Sequence, residues 1–439
     1  MSAVDRRTFL TVAGAQGLLA AGALARPRAA AAARPSNGAE VVVIGAGAFG
    51  GWTALHMAQL GARVTLVDAW GPGNARSTSG DETRGVRSSY GDRAHGELWS
   101  RWATRAIQKW KEWDERWGEE SGTRVFFDTG DLIFREDWEP YLVQTRAIWD
   151  RTGVRYQVLS PADVQQRWPN VFDLKDVGVA LYEEQAGVVR ARRSCEAVAD
   201  TFRRSGGQIH IGRATIGRTR NGRVLDVTLS TGGALPADTY VFACGPWLPK
   251  IFPQLLSQRM RTPTGYVFYY GTPPGDNRYT HPNLPSWNFP GVTGWPALGR
   301  DNRGFRVRTG GGSNRDPDSS DRYVEWPALQ RPRAFLTQRF PGLEDAPVLQ
   351  THACHYESSV SRNFIIAPHP ELENVWITGA GSAEAFKSGP VIGEYIAKRV
   401  LGIEDDPELA KQFAIPTEIF DEEEEQRRRS EREAARGRG

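Results

Sequence analysis

The stretch His352-Ala-Cys354-His355-Tyr356-Glu357 gathers a thiol, two imidazoles, a phenol and a carboxylate around one of only three cysteines in the 439-residue chain. Three chemistries could use such a cluster: metal ligation, a packed core thiol, or a sulfur that takes part in a reaction. Read as a strand over residues 351–357, its side chains alternate, so His352, Cys354 and Tyr356 share one face while His355 and Glu357 take the other. Cys354 and His355 then diverge. No second cysteine pair or HxxxH array offers further ligands, so no metal site is expected. Packing and reactivity both stay open for Cys354.

Phosphate-binding chemistry stands near the other end. Val41-Val42-Val43-Ile44 runs without a gap into Gly45-Ala-Gly47-Ala-Phe-Gly50, an amphipathic segment follows to Leu60, and the run Val64 to Val67 closes with Asp68. This reads as strand, turn, helix, strand. The spacing predicts that Gly45 permits the tight turn, Gly47 lets backbone approach a pyrophosphate, and Gly50 lets the helix sit close on the strand. The amides that open the helix would face the phosphates, and Asp68, 18 residues past Gly50, would accept hydrogen bonds from a ribose. With both strands and the acid in register, a dinucleotide is expected. Residues 71–87 then form a loop of small and basic residues in place of a third simple βα unit, and such a loop could wrap a long, buried cofactor.

The elements that must position these groups belong to a chain longer than one hydrophobic core usually organises, so two domains are expected. At 40% hydrophobic and 24% charged residues it reads as an ordinary soluble globular protein. Cys195 and Cys244 read as packing residues, and an odd, scattered set of cysteines argues against a disulfide framework. Trp99, Trp102, Ala106, Trp110, Trp113 and Trp117 fall at three- and four-residue steps, one helical face that reads as core rather than aromatic cage. The Tyr-, Pro- and Trp-rich stretch 265–299 suits the sheet and loops of a substrate domain.

Residues 1–33 place Arg6-Arg7 before a weakly apolar, alanine-rich run, the pattern of a twin-arginine export signal, with a disordered leader as the alternative. The run is too short for a membrane span. It carries +3 of the formal +3 charge, so the remainder is near neutral and nucleic acid is not an expected partner. Residues 403–439 form a charged tail in which Asp421 to Glu425 precedes Arg427 to Arg429.

Past Asp68 the sequence resembles the D-amino-acid-oxidase-like flavoproteins, in the branch of monomeric sarcosine oxidase and N-methyltryptophan oxidase. The resemblance rests on Thr83-Arg84-x-x-Arg87 with Tyr90-Gly91, on Thr129-Gly130-Asp-Leu-Ile-Phe, and on Val241-Phe-Ala-Cys-Gly245-Pro-Trp247. It continues through Cys354-His-Tyr356, Asn374-Val-Trp-Ile-Thr-Gly379 and Phe386-Lys387-Ser-Gly-Pro-Val-Ile-Gly393. It implies an α/β fold in which a Rossmann-type FAD domain, from 39–92, 187–261 and 346–402, interleaves with an antiparallel-sheet substrate domain of α+β character, from 93–186 and 262–345. It also implies a monomer.

The resemblance implies roles as well. FAD would be held by Gly45, Gly47, Gly50 and Asp68, with Thr83, Arg84, Gly245, Gly379 and Lys387, and bonded covalently through Cys354. Arg87 and Lys387 would anchor a substrate carboxylate, Arg84 would stack near the flavin, and Tyr356 would line the substrate cavity. Arg306 stands where resembling oxidases place a lysine that helps activate oxygen. Two departures stand out: the family's active-site histidine aligns with Gly80, and its His-Gly before Phe-Lys becomes Glu384-Ala385. The expected activity is oxidation of a secondary amine or N-substituted amino acid with oxygen, giving imine and hydrogen peroxide. A dehydrogenase with another acceptor and a non-catalytic flavin-binding protein are the alternatives.

Overall fold

The β-branched run at Val41–Ile44 becomes the strand Glu40–Ile44, inside a six-stranded sheet. The computed structural model describes residues 38–299, 303–309 and 313–421; the expected export segment 1–33 lies outside them. Of the expected tail 403–439 the part up to Asp421 is described, with helix Pro407–Gln412 and a Phe413 that is buried in the core because its apolar ring packs on Trp99 and Trp102. The strands lie in the order Ile365–Pro368, Val375–Gly379, Thr239–Phe242, Glu40–Ile44, Arg63–Asp68 and Gln208–Ile211, parallel except for the first pair. Val41, Val42 and Val43 are all buried, as a strand covered on both faces requires. Helix Ala48–Gln59 rises directly from the glycine turn and packs on helix Gly389–Val400.

The second large sheet has eight strands, in the order Val348–His355, Thr264–Tyr270, Phe305–Thr309, Val292–Trp295, Ser286–Phe289, Asp131–Arg135, Val179–Glu183 and Tyr156–Leu159. Its pairings are antiparallel apart from Ser286–Phe289 with Asp131–Arg135. Period-two alternation sorts its side chains. Phe268, Tyr270, Phe305, Val307 and Ala353 enter a core with Trp287, Phe289 and Phe340, while Arg306, Arg308 and Cys354 point the other way, into a cavity. A three-stranded sheet, Thr83–Val86 with Gly187–Arg190 and Phe126–Phe127, carries Arg84.

The expected α/β class with a largely antiparallel second sheet is what the chain adopts. Segment 346–402 divides between the sheets: its first strand, which carries Cys354, edges the eight-stranded one, and its strands Ile365–Pro368 and Val375–Gly379 join the six-stranded one. Helix Gly96–Ser121 buries Trp99, Trp102, Trp110 and Trp113, the last two edge-on to Trp52 at 5.4 and 4.9 Å. None of these tryptophans lines the cavity, so the stripe is core. No helix among the described residues is long and apolar enough to cross a membrane.

Candidate active site

Backbone builds the nucleotide end. Gly45 has φ of 107°, and a Cβ there would stand 2.3 Å from the Ala243 carbonyl oxygen; a Cβ on Gly50 would stand 1.8 Å from the Gly45 oxygen. Only glycine fits either place. At Gly47 a Cβ would meet just the Ser79 side chain, its Oγ at 3.1 Å, and that hydroxyl accepts the Ala48 N–H at 3.1 Å. Asp68 ties the strand end to this loop: its Oδ2 accepts the Ala46 N–H at 2.8 Å, and its Oδ1 accepts those of Trp70 and Gly71 at 2.9 Å. Burial still holds its carboxyl above the ordinary value.

From this loop a cavity of about 940 Å³ leads past Gly245 to Arg84, Arg87, Arg306, Cys354, Tyr356 and Lys387. Here ion pairs set position. Arg84 Nη1 pairs with Asp81 Oδ2, Arg306 Nη2 lies 3.8 Å from the same oxygen, and the Tyr269 hydroxyl donates to Asp81 Oδ1 at 3.0 Å. Burial alone would raise Asp81, but the two guanidiniums outweigh it and bring its carboxyl down to about 2. Arg306 is 2% exposed, sits 3.7 Å from the Trp295 ring centre, and keeps Nε and Nη1 without partners among the described residues. Burial lowers it to about 10. Arg84 Nη2 donates to the Thr78 carbonyl at 2.7 Å and to Cys354 Sγ at 3.2 Å. Burial pushes the Cys354 thiol up, yet Arg84 and the His352 ring prevail and leave it below its ordinary value.

Arg87 stands 3.9 Å from buried Asp131, and Lys387 Nζ donates to the Tyr90 hydroxyl at 2.9 Å. Burial is the main reason Lys387 is brought down to about 8, with Arg87 adding to it and Glu384 opposing. Glu384 lines the cavity, but its carboxylate lies 3.5 Å from Arg93, a partner other than the anchor pair.

A family model for FAD dependent oxidoreductases matches residues 40–399. The chain belongs to this family. Human peroxisomal sarcosine oxidase is 24% identical over 377 residues, 81% of this chain and 90% of its own. N-methyl-L-tryptophan oxidase of Yersinia pestis (strain Pestoides F) is 25% identical over 374 residues, 82% of this chain and 94% of its own. Among solved structures, L-proline dehydrogenase from P. horikoshii superposes with a TM-score of 0.73 at 20% identity, covering 85% of this chain and 95% of that one, and shares the fold.

The residues present suit the flavoenzyme's FAD. The close turn at Gly45 and Gly47 opens a helix toward the cavity, the place for a pyrophosphate. Among the described residues Asp68 Oδ2 accepts only the Ala46 N–H, which leaves a lone pair for a ribose hydroxyl. The two orphan nitrogens of Arg306 are donors that a polar ring edge would satisfy.

Of the residues expected at the flavoenzyme's site, Gly45, Gly47, Asp68, Arg84, Arg87, Gly245, Arg306, Cys354, Tyr356 and Lys387 line this one cavity. Gly50, Thr83 and Gly379 do not. Gly50 packs under the turn, a Cβ on Gly379 would meet Leu248 at 2.4 Å, and Thr83 Oγ1 lies behind the wall, bonded to Trp295 Nε1 at 2.9 Å and to the Tyr269 hydroxyl at 3.0 Å. Cys195 is packed as expected, whereas Cys244 is half-buried and also lines the cavity. At Gly80 a side chain would run into the Asn74 carbonyl at 2.0 Å, so nothing larger fits that position without a shift of the chain.

Sequence reasoning overlooked Asp81, Trp295, Arg308 and Glu357. A strand running through residue 357 would put Glu357 on the face opposite Cys354, away from any role in the site. The strand ends at His355, so alternation stops there, and Glu357 turns into the cavity wall, accepting from Thr78 Oγ1 at 2.9 Å and the Gly381 N–H at 3.2 Å. Arg308 was legible by its spacing of two from Arg306.

Proposed function

We propose that the enzyme oxidises the CH–NH bond of a secondary amine or N-substituted amino acid and passes the electrons to oxygen, giving an imine and hydrogen peroxide. FAD, when bound, supplies the acceptor for the two electrons and the hydrogen of that bond. The observation that carries the reading is the pair Arg87 and Lys387. Both are cations on the cavity wall, and Lys387 has no carboxylate within ion-pair distance among the described residues. An amino-acid carboxylate provides the missing charge. A guanidinium fork fixes its orientation, and a carboxylate held there places the amine-bearing carbon in one direction only. The named activities of the sarcosine and N-methyl-L-tryptophan oxidases support an amine.

Arg306 offers a fixed positive charge for reduced oxygen. Cys354, whose thiolate Arg84 and His352 favour, is the tether for the cofactor. A tether suits a protein whose residues 1–33 read as an export signal, because free flavin is scarce outside the cell. A second reading, transfer of electrons to a quinone or a protein, is favoured by the commitment of Arg306 to Asp81 and Trp295.

The test is a panel of N-methyl, cyclic and glycated amino acids offered to the purified yellow protein. Peroxide formed in air in step with substrate consumed supports the oxidase. Dye reduction under argon without peroxide in air moves the function to the second reading, and a flavin that no amine bleaches under argon sinks both.

A further inference from the structure

Arg308 lines the same cavity and has no task in the reading above. It follows Arg306 by two on the strand Phe305–Thr309, so the pleat turns both side chains inward while Phe305 and Val307 enter the aromatic core. Their company differs. Arg306 has Asp81 at 3.8 Å and the Trp295 ring at 3.7 Å. The Arg308 side chain forms no ion pair or hydrogen bond among the described residues, and its guanidinium stands 5.9 Å from the Tyr356 ring centre. The space before it is clear, because Gly265, paired with Cys354 across the strands, has no side chain; even an added Cβ would lie 3.7 Å from Arg308 Nη2.

Burial, with the neighbouring charges of Arg84 and Arg87, outweighs the Tyr356 phenol and the Cys354 thiol and disfavours its ionised form, and no carboxylate pairs with it among the described residues. A half-buried guanidinium without a counter-ion is costly unless a ligand completes it. One substrate carboxylate satisfies Arg87 and Lys387. The uncharged ring of an oxidised flavin brings no anion for Arg308.

Building on the amine-oxidising reading above, we infer that the substrate is a secondary amine bearing two carboxylates, the first held by Arg87 and Lys387 and the second by Arg308. Two arrangements share this chemistry: one carboxylate on each side of the nitrogen, or both on one arm of an N-methylated acidic amino acid. Arg308 is then the residue that sets specificity, separating diacids from the simple N-methyl amino acids.

The experiment compares kcat/KM of the holoenzyme for iminodiacetate, N-methyl-aspartate and N-methylglycine. At least one diacid should exceed N-methylglycine by roughly 10- to 100-fold, the range of a charge-assisted hydrogen-bond pair. In Arg308→Gln that ratio should collapse toward unity, and Arg308→Lys should keep part of it. A ratio measured within one protein sample cancels any general loss of folded enzyme. Malonate and acetate, titrated as competitive ligands against the flavin absorbance, should show the same preference and the same loss in Arg308→Gln.

Whichever diacid wins identifies the arrangement. N-methylglycine used as well as both diacids, or a diacid preference untouched by Arg308→Gln, overturns the inference while leaving the oxidase reading in place. If none of the three amines bleaches the flavin, the amine reading fails separately, and the malonate titration still decides whether Arg308 holds a second carboxylate.

Discussion

At the Gly45 end of the cavity, position is enforced by backbone: a glycine at φ of 107°, a helix start pressed on that turn, and an aspartate whose oxygens accept three main-chain N–H groups. At the Lys387 end, position is enforced by side-chain charge. Arg84 and Arg87 come from one short strand and its edge, Arg306 and Arg308 from the eight-stranded sheet, and Lys387 from the turn before helix Gly389–Val400. Two buried carboxylates, Asp81 and Asp131, hold this convergence together. The backbone end tolerates no added atom at Gly45 or Gly50 and is tied by main-chain hydrogen bonds to Asp68 instead of by ion pairs. The charged end has room for a ligand and depends on a small number of counter-ions. A cofactor that never changes can be met by the first kind of wall, and a substrate that must be chosen and released calls for the second.

Removing a counter-ion should therefore do the most damage. Asp81→Asn leaves Arg84 and Arg306 buried with no acid between them, and the expected loss is about 3–5 kcal/mol of folding stability. Urea unfolding followed by tryptophan fluorescence measures it, and a loss under about 1 kcal/mol would show that this carboxylate does not organise the site. The folded carboxyl at about 2 lies below its ordinary 3.8, so its stabilisation is complete above about 4 and lost only as pH falls through about 2. The wild type should accordingly show no Asp81-dependent loss between about pH 5 and 8.

On the backbone side, Gly50→Ala drives a methyl into the Gly45 carbonyl and should cost about 1–3 kcal/mol while emptying the protein of flavin. Gly47→Ala is the control that sharpens the contrast. It should melt within about 0.5 kcal/mol of wild type yet purify with less flavin, since its Cβ enters the space meant for a ligand. Equal melting losses in the two variants would erase the distinction between a glycine that shapes the turn and one that leaves room.

This contrast also explains what could be read from the residues alone. Val41 to Asp68 is one contiguous stretch whose chemistry is local, so turn, helix and acid were placed without any three-dimensional information. The tryptophans of helix Gly96–Ser121 were legible for the same reason, because periodicity reports burial directly. The charged end is non-local, and its members were placed through family resemblance instead of spacing. That route has a blind spot where this chain departs from its relatives. Asp81 was passed over beside Gly80, although it sits three residues before the arginine it holds. The resemblance implies Thr83 at the cofactor together with Arg84, whereas adjacent residues on a strand face opposite ways and the Thr83 hydroxyl meets Trp295. Glu357 was misassigned because the point at which a strand stops alternating depends on what it pairs with, here Thr264–Tyr270.

The smallest effect, and the most diagnostic of the charged end, is a pH limb belonging to Lys387. The residue is 9% exposed, and burial chiefly holds its ammonium at about 8, against an ordinary 10.5. Below about 8 it carries the charge that the proposed carboxylate anchor needs; above, it does not. For acid substrates kcat/KM, which reports the free enzyme, should lose up to about tenfold per pH unit above 8, about 1.4 kcal/mol, relative to Lys387→Met. Deprotonation of the substrate amine raises the rate over the same range, but it does so in both proteins and cancels in the comparison. Folding moves in the opposite sense. Because the folded state gives up this proton at lower pH than the unfolded chain, stability gains as pH rises between about 8 and 10.5. A falling rate with an undiminished melting temperature would therefore assign the limb to the anchor and not to unfolding. A limb that persists unchanged in Lys387→Met would remove the lysine from the carboxylate site and leave Arg87 to hold it alone.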